Sequence, residues 1–236
     1  MPQHTMKQPK TSQRRPIRRT ISQRSELIAD FHAHGINPDT REIVLMSDPN
    51  NPEEGIDYCC ANTFIKNLLL LNSLNHLPIL VHQITCGGEW NYGMAIYDAI
   101  VASRAPTILV AYAHSRSMSS VIPQAAKRRV IMPNTDFLIH FGTQAYEGDA
   151  RSFEAEGKWS ERLNRRMVEI YAVKCSRGPF FRRKKMSREK VRQYLWNTMN
   201  EKREWYMTPD EAVDLGFMDG VFGRPPFRTW DEIRKV

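Results

Sequence analysis

Apolar positions along this chain switch repeatedly between a short continuous run and a three-to-four spacing, the signature of strands alternating with helices. Residues 26–34 carry a helical pattern and stop at Gly35, a residue suited to a left-handed cap. Residues 41–46 predict a strand, and 47–55, with Pro49, Pro52 and Gly55 among Asp and Asn, a loop. A helix is predicted over 58–72, a strand over 79–85, and a helix over 91–103 with Met94, Ile96, Tyr97, Ile100 and Val101 as its stripe. Further strands follow at 107–113, 129–132 and 137–140, with a helix between the first two at 118–126. These strands are apolar nearly throughout rather than at every second position, which marks strands covered on both faces. The pattern predicts an α/β fold built on a mostly parallel sheet.

Beyond the strands, Phe153, Trp159, Leu163, Met167, Ile170 and Tyr171 recur at spacings of three, four or multiples of them, opposite a heavily charged face. They predict one long helix over about 148–172, either projecting toward a partner or packed on its own domain. A basic loop is predicted at about 176–190, containing Arg182, Arg183, Lys184 and Lys185. Thr208, Pro209 and Glu211 then read as N-cap, first helical position and capping-box partner of a helix ending at Gly216, before a final strand at 217–221.

The composition narrows the possibilities. With 236 residues and 41% hydrophobic content the chain suffices for one domain with a full core. No apolar stretch approaches the ~20 residues of a membrane span, and no N-terminal apolar segment resembles a signal peptide. Cys59, Cys60, Cys86 and Cys175 lack metal-site spacing and point to reduced thiols, hence to the cytoplasm or an organelle matrix or stroma. The formal charge is +8, but Lys7, Lys10, Arg14, Arg15, Arg18, Arg19 and Arg24 stand in the first 25 residues without one acid, leaving +1 for the remainder. A basic, disordered tail over 1–25, one domain over 26–222 and a C-terminal tail over 223–236 are therefore expected, without a surface built for nucleic acid. With no phosphate-binding glycine loop and no metal cluster, no cofactor is expected.

The chemistry gathers where strands end. The 79–85 strand runs into Cys86, Gly87 and Gly88; the 107–113 strand leads through His114, Ser115 and Arg116 to Ser117 at a helix start; the 137–140 strand closes on His140. A serine on a strand-to-helix turn, beside helix N-terminal N–H groups, can carry a nucleophilic hydroxyl. Gly-Gly, Ser and His at three strand ends supply an oxyanion site, a nucleophile and a base, so the chain reads as a serine hydrolase. His82 and His114 are expected to be structural, and Cys86 a small buried residue.

In this order the motifs resemble the proteolytic subunit of the Clp protease. Gly87-Gly88 followed by Gly93-Met94-Ala95-Ile96-Tyr97-Asp98 is similar to its Gly-Gly turn and the helix after it. Ser117-Met118 looks like its nucleophile pair, and Met132-Pro133-Asn134 with Leu138-Ile139-His140 like its histidine strand. Residues 208–219 match its Ser/Thr-x-x-Glu-Ala signature, and 34–43 its first strand and lead-in. The resemblance spans about 26–221. It implies a Clp-type, crotonase-like spiral of parallel strands with flanking helices and a protruding handle helix. It further implies stacked heptameric rings, homo- or hetero-oligomeric, served by an AAA+ unfoldase and cutting unfolded polypeptides, with neither nucleic acid nor membrane as partner. Residue by residue it implies Ser117 as nucleophile, His140 as base, Glu204 as third triad member, and Gly88 and Met118 as oxyanion donors.

Three departures from the family pattern stand out. Glu204 replaces the usual Asp, Arg116 replaces a small residue beside the nucleophile, and Thr85-Cys86 replaces Ser-Pro before the glycines. Arg116 could point out of the turn, bind an acidic group or block the site. The alternatives to a peptidase are a non-catalytic ring subunit and an acyl-CoA-processing crotonase relative.

Overall fold

The computed structural model describes residues 20–47, 55–143 and 145–236. Residues 1–19 of the expected basic tail lie outside the described residues. The first helix, α1 (Ile21–His34), starts five residues before the expected boundary at 26, because Thr20 and Gln23 form a reciprocal capping box. Gly35 ends it in the left-handed conformation as expected, at φ 64°.

The chain then lays down β1 (Ile36–Asn37), β2 (Glu42–Met46), α2 (Tyr58–Leu74), β3 (Ile79–Thr85), α3 (Trp90–Ala102) and β4 (Thr107–Arg116). After β4 come α4 (Met118–Val121), a 3-10 turn (Ile122–Ala125), β5 (Arg128–Ile131) and β6 (Asp136–Ile139). The predicted helix over 118–126 thus divides in two, because Pro123 has no N–H to continue the α ladder. The remaining elements are α5 (Ala150–Cys175), α6 (Pro179–Arg183), α7 (Arg188–Lys202), β7 (Trp205–Met207), α8 (Pro209–Asp214), β8 (Gly220–Val221) and α9 (Trp230–Arg234). Two expectations change here. The basic loop contains α6 and runs into α7, which Ser187 caps by accepting from Lys190 N at 3.3 Å. The C-terminal tail folds into α9, held by a Thr229–Glu232 capping box.

The sheet runs β1-β2-β3-β4-β5-β8, with β6 beside β4 and β7 beside β6. Pairing is parallel from β2 through β8 and between β4 and β6, and antiparallel only for β1–β2 and β6–β7. The long β4 generates the spiral. Its first half pairs with β5 and its second half, His114 to Arg116, with β6. Between them the register against β3 slips, and Ala113 takes a positive φ of 52°. Such a bulge bends and twists a strand, and here it hands the edge from β5 to β6.

Alternate residues of the sheet face two cores. Ile79, Val81, Leu109, Ala111 and Ile131 join the main core beneath α2, α3 and α5. Leu80, Ile108, Val110 and Val130 face the other way and are covered by Phe227 and Ile233 of the C-terminal segment. Helix α5 is about 39 Å long at 1.5 Å per residue. Only its C-terminal end, at Met167, Val168, Tyr171, Ala172 and Cys175, is buried. The N-terminal half stands free with Phe153 and Trp159 exposed, the protruding handle of the expected fold.

Candidate active site

The register of β4 against β6 sets the position of Ser117. Its N–H donates to Leu138 O at 3.1 Å, and its backbone adopts φ 51°, ψ −127°, a strained conformation for a residue with a Cβ. The following turn holds that strain: Ser117 O accepts from Ser120 N at 2.9 Å and from Ser120 Oγ at 2.5 Å. Ser120 Oγ in turn meets the Tyr171 hydroxyl at 2.7 Å, tying the serine turn to α5. Behind it, Gln83 Nε2 and Ser115 Oγ both donate to Ser119 O at 2.8 Å. Burial pushes the Tyr171 phenol well above its ordinary range, so it remains a neutral hydroxyl in this network.

Two glycines make room. At Gly87 (φ 124°) a Cβ would lie 2.7 Å from the Ser117 Cβ; at Gly88 (φ 138°) it would run into the backbone of Ile56. Ile56 N donates to Gly87 O at 2.6 Å, and Glu89 N to Ile56 O at 2.8 Å, so the Gly-Gly turn is stitched to the segment before α2. Gly93 is a third such position, where a side chain would strike Met118.

The histidine and its partner meet through the antiparallel pair β6–β7. Ile139 pairs with Trp205, so His140 and Glu204 fall opposite one another one step on. His140 Nδ1 lies 2.8 Å from Glu204 Oε1, and Glu204 is half-exposed. Arg203, at φ 62°, makes the sharp turn between α7 and β7 that delivers Glu204 there. The other ring nitrogen, Nε2, is buried without a hydrogen bond to any described residue, Ser117 Oγ included.

Ser117, Met118, His140 and Gly88 line one cleft of about 520 Å³, together with Trp90, Phe141, Leu163, Asn164 and Met167. All the predicted site residues except Glu204 line it, and Glu204 reaches it through His140. Cys86 also lines it and is exposed, contrary to the expected buried position, because it precedes the glycines at the cleft mouth. His114 does not line it, and His82 bonds Tyr112 at 2.8 Å on the other side of the sheet. Arg116 turns away as well, pairing with Asp136 and lying 5.6 Å over the Tyr206 ring. Of this wall, Leu163 and Met167 were visible only as apolar positions of the long helix, and Trp90 lies one residue before the helix predicted at 91–103. The Tyr171–Ser120 link left no signal in the sequence.

A strained serine on a strand-to-helix turn, a histidine held by a carboxylate, and a glycine turn in one cleft are the parts of a hydrolytic α/β site. Among known proteins, the Clp protease family model matches residues 40–225, so the chain belongs to the Clp protease family. It is 29% identical over 164 residues to the ATP-dependent Clp protease proteolytic subunit of Deinococcus radiodurans, covering 68% of this chain and 73% of that one. It is also 29% identical over 136 residues to proteolytic subunit 2 of Treponema denticola, covering 56% of this chain and 64% of that one. Among solved structures, a mutant ClpP1 from Listeria monocytogenes superposes with a TM-score of 0.64 at 22% identity, over 83% of this chain and 96% of that one. That likeness establishes the fold.

Proposed function

We propose that this chain is a serine endopeptidase of the Clp type, cutting unfolded polypeptides within a ring assembly fed by an AAA+ unfoldase. The observation that carries the reading is the His140–Glu204 contact across β6–β7. It holds the imidazole through Nδ1, which leaves Nε2 as the nitrogen free to act as base, and His140 and Ser117 line the same cleft. In the reaction, Nε2 takes the hydroxyl proton as Ser117 Oγ attacks the peptide carbonyl, and the Gly88 and Met118 N–H groups hold the oxyanion. The tetrahedral adduct collapses, His140 gives its proton to the leaving amine, and an acyl-Ser117 ester remains. Water then repeats the sequence, releasing the acid and restoring the serine. Trp90, Met118, Leu163 and Met167 favour an apolar side chain beside the cleaved bond.

Arg116 supports this reading too, since its ion pair with Asp136 directs the guanidinium away from the serine. A fluorophosphonate probe on the assembled protein is expected to label Ser117 and to be abolished by Ser117→Ala. Glu204→Gln should lower kcat by about 10²–10⁴ while leaving KM nearly unchanged. An assembled protein that neither labels nor cleaves peptides with its ATPase present would instead be a non-catalytic ring subunit.

A further inference from the structure

Away from the serine cleft, a second recess of about 290 Å³ lies where β5, the end of α5, and α6 converge. Its walls carry Lys127, Arg129, Lys174, Arg177 and Arg182, against a single carboxylate, Asp219. The hydrogen bonds of that carboxylate go to Arg129. Arg129 donates to Asp219 Oδ2 from its backbone N at 2.8 Å and from Nε at 3.2 Å, and its terminal nitrogen pairs with Oδ1. Arg129 is further held by Gln124 Oε1 at 2.8 Å and Gly216 O at 3.1 Å, which makes it a rigid floor.

The other cations have no carboxylate within ion-pair distance among the described residues. Lys174 donates only to Ala126 O, at 3.3 Å. Burial, followed by the charge of Arg129 and then those of Arg177 and Lys127, depresses the ammonium pKa below its ordinary value despite the opposing pull of Asp219. Surface cations nearby behave differently: Arg183 pairs with Asp214, Arg188 with Glu169 and Arg192 with Glu189. Like charges held together in a recess repel, and an anion entering it relieves the repulsion of all of them together. Two of the five cations, Arg177 and Arg182, come from the basic segment after the handle.

We infer that this recess binds a small free anion bearing more than one phosphoryl negative charge, with Arg129 and Lys174 as its floor and Lys127, Arg177 and Arg182 as its rim. The concave shape suits a compact anion better than an extended chain. The guanidinium forks of Arg177 and Arg182 suit phosphoryl oxygens, which accept two parallel N–H bonds from one arginine.

The test is titration of the full chain with inorganic pyrophosphate at constant ionic strength, read by calorimetry and by thermal unfolding. The expected result is saturable binding and a rise in Tm of about 3–6 °C at ten times Kd, with no rise from matched chloride. The exposed double variant Arg177→Glu/Arg182→Glu should weaken binding at least tenfold, and Arg182→Ala alone severalfold. Arg162→Glu, on the free half of α5, should leave binding unchanged and controls for overall charge. Absent or non-saturable binding, or an equal loss in the Arg162 variant, would overturn the inference. So would tighter binding of an oligoglutamate peptide than of pyrophosphate, or binding to phosphatidylglycerol vesicles that pyrophosphate fails to displace.

Discussion

The two faces of the central sheet are built from the same strands but in very different ways. On one face Ile79, Val81, Leu109 and Ile131 join a continuous core that runs through α2, α3, α5 and α7. Ser117 and His140 are anchored on the edges of that core. On the other face Leu80, Ile108, Val110 and Val130 are closed over by a segment ending in a five-residue helix. Arg128 fastens that segment by donating to Glu232 O at 3.1 Å and Ile233 O at 2.5 Å, while Arg234 pairs with Glu42 and donates to Thr40 O at 3.1 Å. A face closed by one short segment and a few backbone bonds opens more easily than one closed by four helices. The serine site therefore rests on the stiffer face, which suits a turn that must store strain.

The largest effect should come from breaking the stiff face. Tyr171 is fully buried, packs edge-on against Phe217 at 5.2 Å between ring centroids, and bonds Ser120. Tyr171→Ala should cost about 3–5 kcal/mol in denaturant unfolding, through lost burial and a cavity. Tyr171→Phe separates packing from the hydroxyl. It should cost about 1–2 kcal/mol and lower kcat, because Ser120 then holds the Ser117 carbonyl without its partner. An unchanged kcat in Tyr171→Phe would sever α5 from the serine turn.

Next in size is the softer face. Ile233 is fully buried against Leu80, Ile108 and Val130, so Ile233→Ala should cost about 2–4 kcal/mol. Hydrogen exchange should accelerate over 223–236 and the outer strand residues, while fluorophosphonate labelling of Ser117 persists. If labelling falls in step with stability, the two faces unfold as one unit and the contrast fails.

This division also explains what the sequence disclosed. The strands and long helices of the stiff face were legible because each carries enough apolar positions to show a period, and the strand ends carried Ser117, His140 and the glycines. The C-terminal cover was not legible, because in α9 only Trp230 and Ile233 carry apolar contact, too few for a period. Helix α7 escaped although its buried positions Val191, Leu195 and Met199 keep a four-residue spacing, because most of the residues between them are charged or polar. Glu204 could be placed by resemblance, but its meeting with His140 depends on the β6–β7 register and on the turn at Arg203, which are tertiary facts. The basic recess was equally hidden, since Lys127 and Arg129 are far along the chain from Lys174, Arg177 and Arg182.

Acid should discriminate the faces more gently. His82 sits on the softer face, facing Tyr112 of β4, Glu42 of β2, and Trp230 and Arg234 of α9. Burial lowers its pKa despite the opposing pull of Glu42, with Arg234 adding to the drop. Below the ordinary value of about 6.5 the unfolded chain therefore takes a proton that the folded chain resists. Stability from this residue is present above that pH and is lost as pH falls toward the lower folded value. Comparing Tm at pH 7.5 and 5.5, the drop should be smaller in His82→Phe than in the parent; an identical drop would place the acid-sensitive group elsewhere.

The smallest effect should come from the free half of α5, which belongs to neither face. Phe153 and Trp159 are 65% and 52% exposed on a helix that buries nothing before Met167. Replacing Phe153 with Ser should change unfolding of the single chain by no more than about 0.5 kcal/mol, as for surface positions generally. Two large apolar side chains kept on a projecting helix instead suit contact with another subunit, so the same change should shift sedimentation toward smaller species. A variant that lost stability but assembled normally would mean that this half of the helix packs on its own domain.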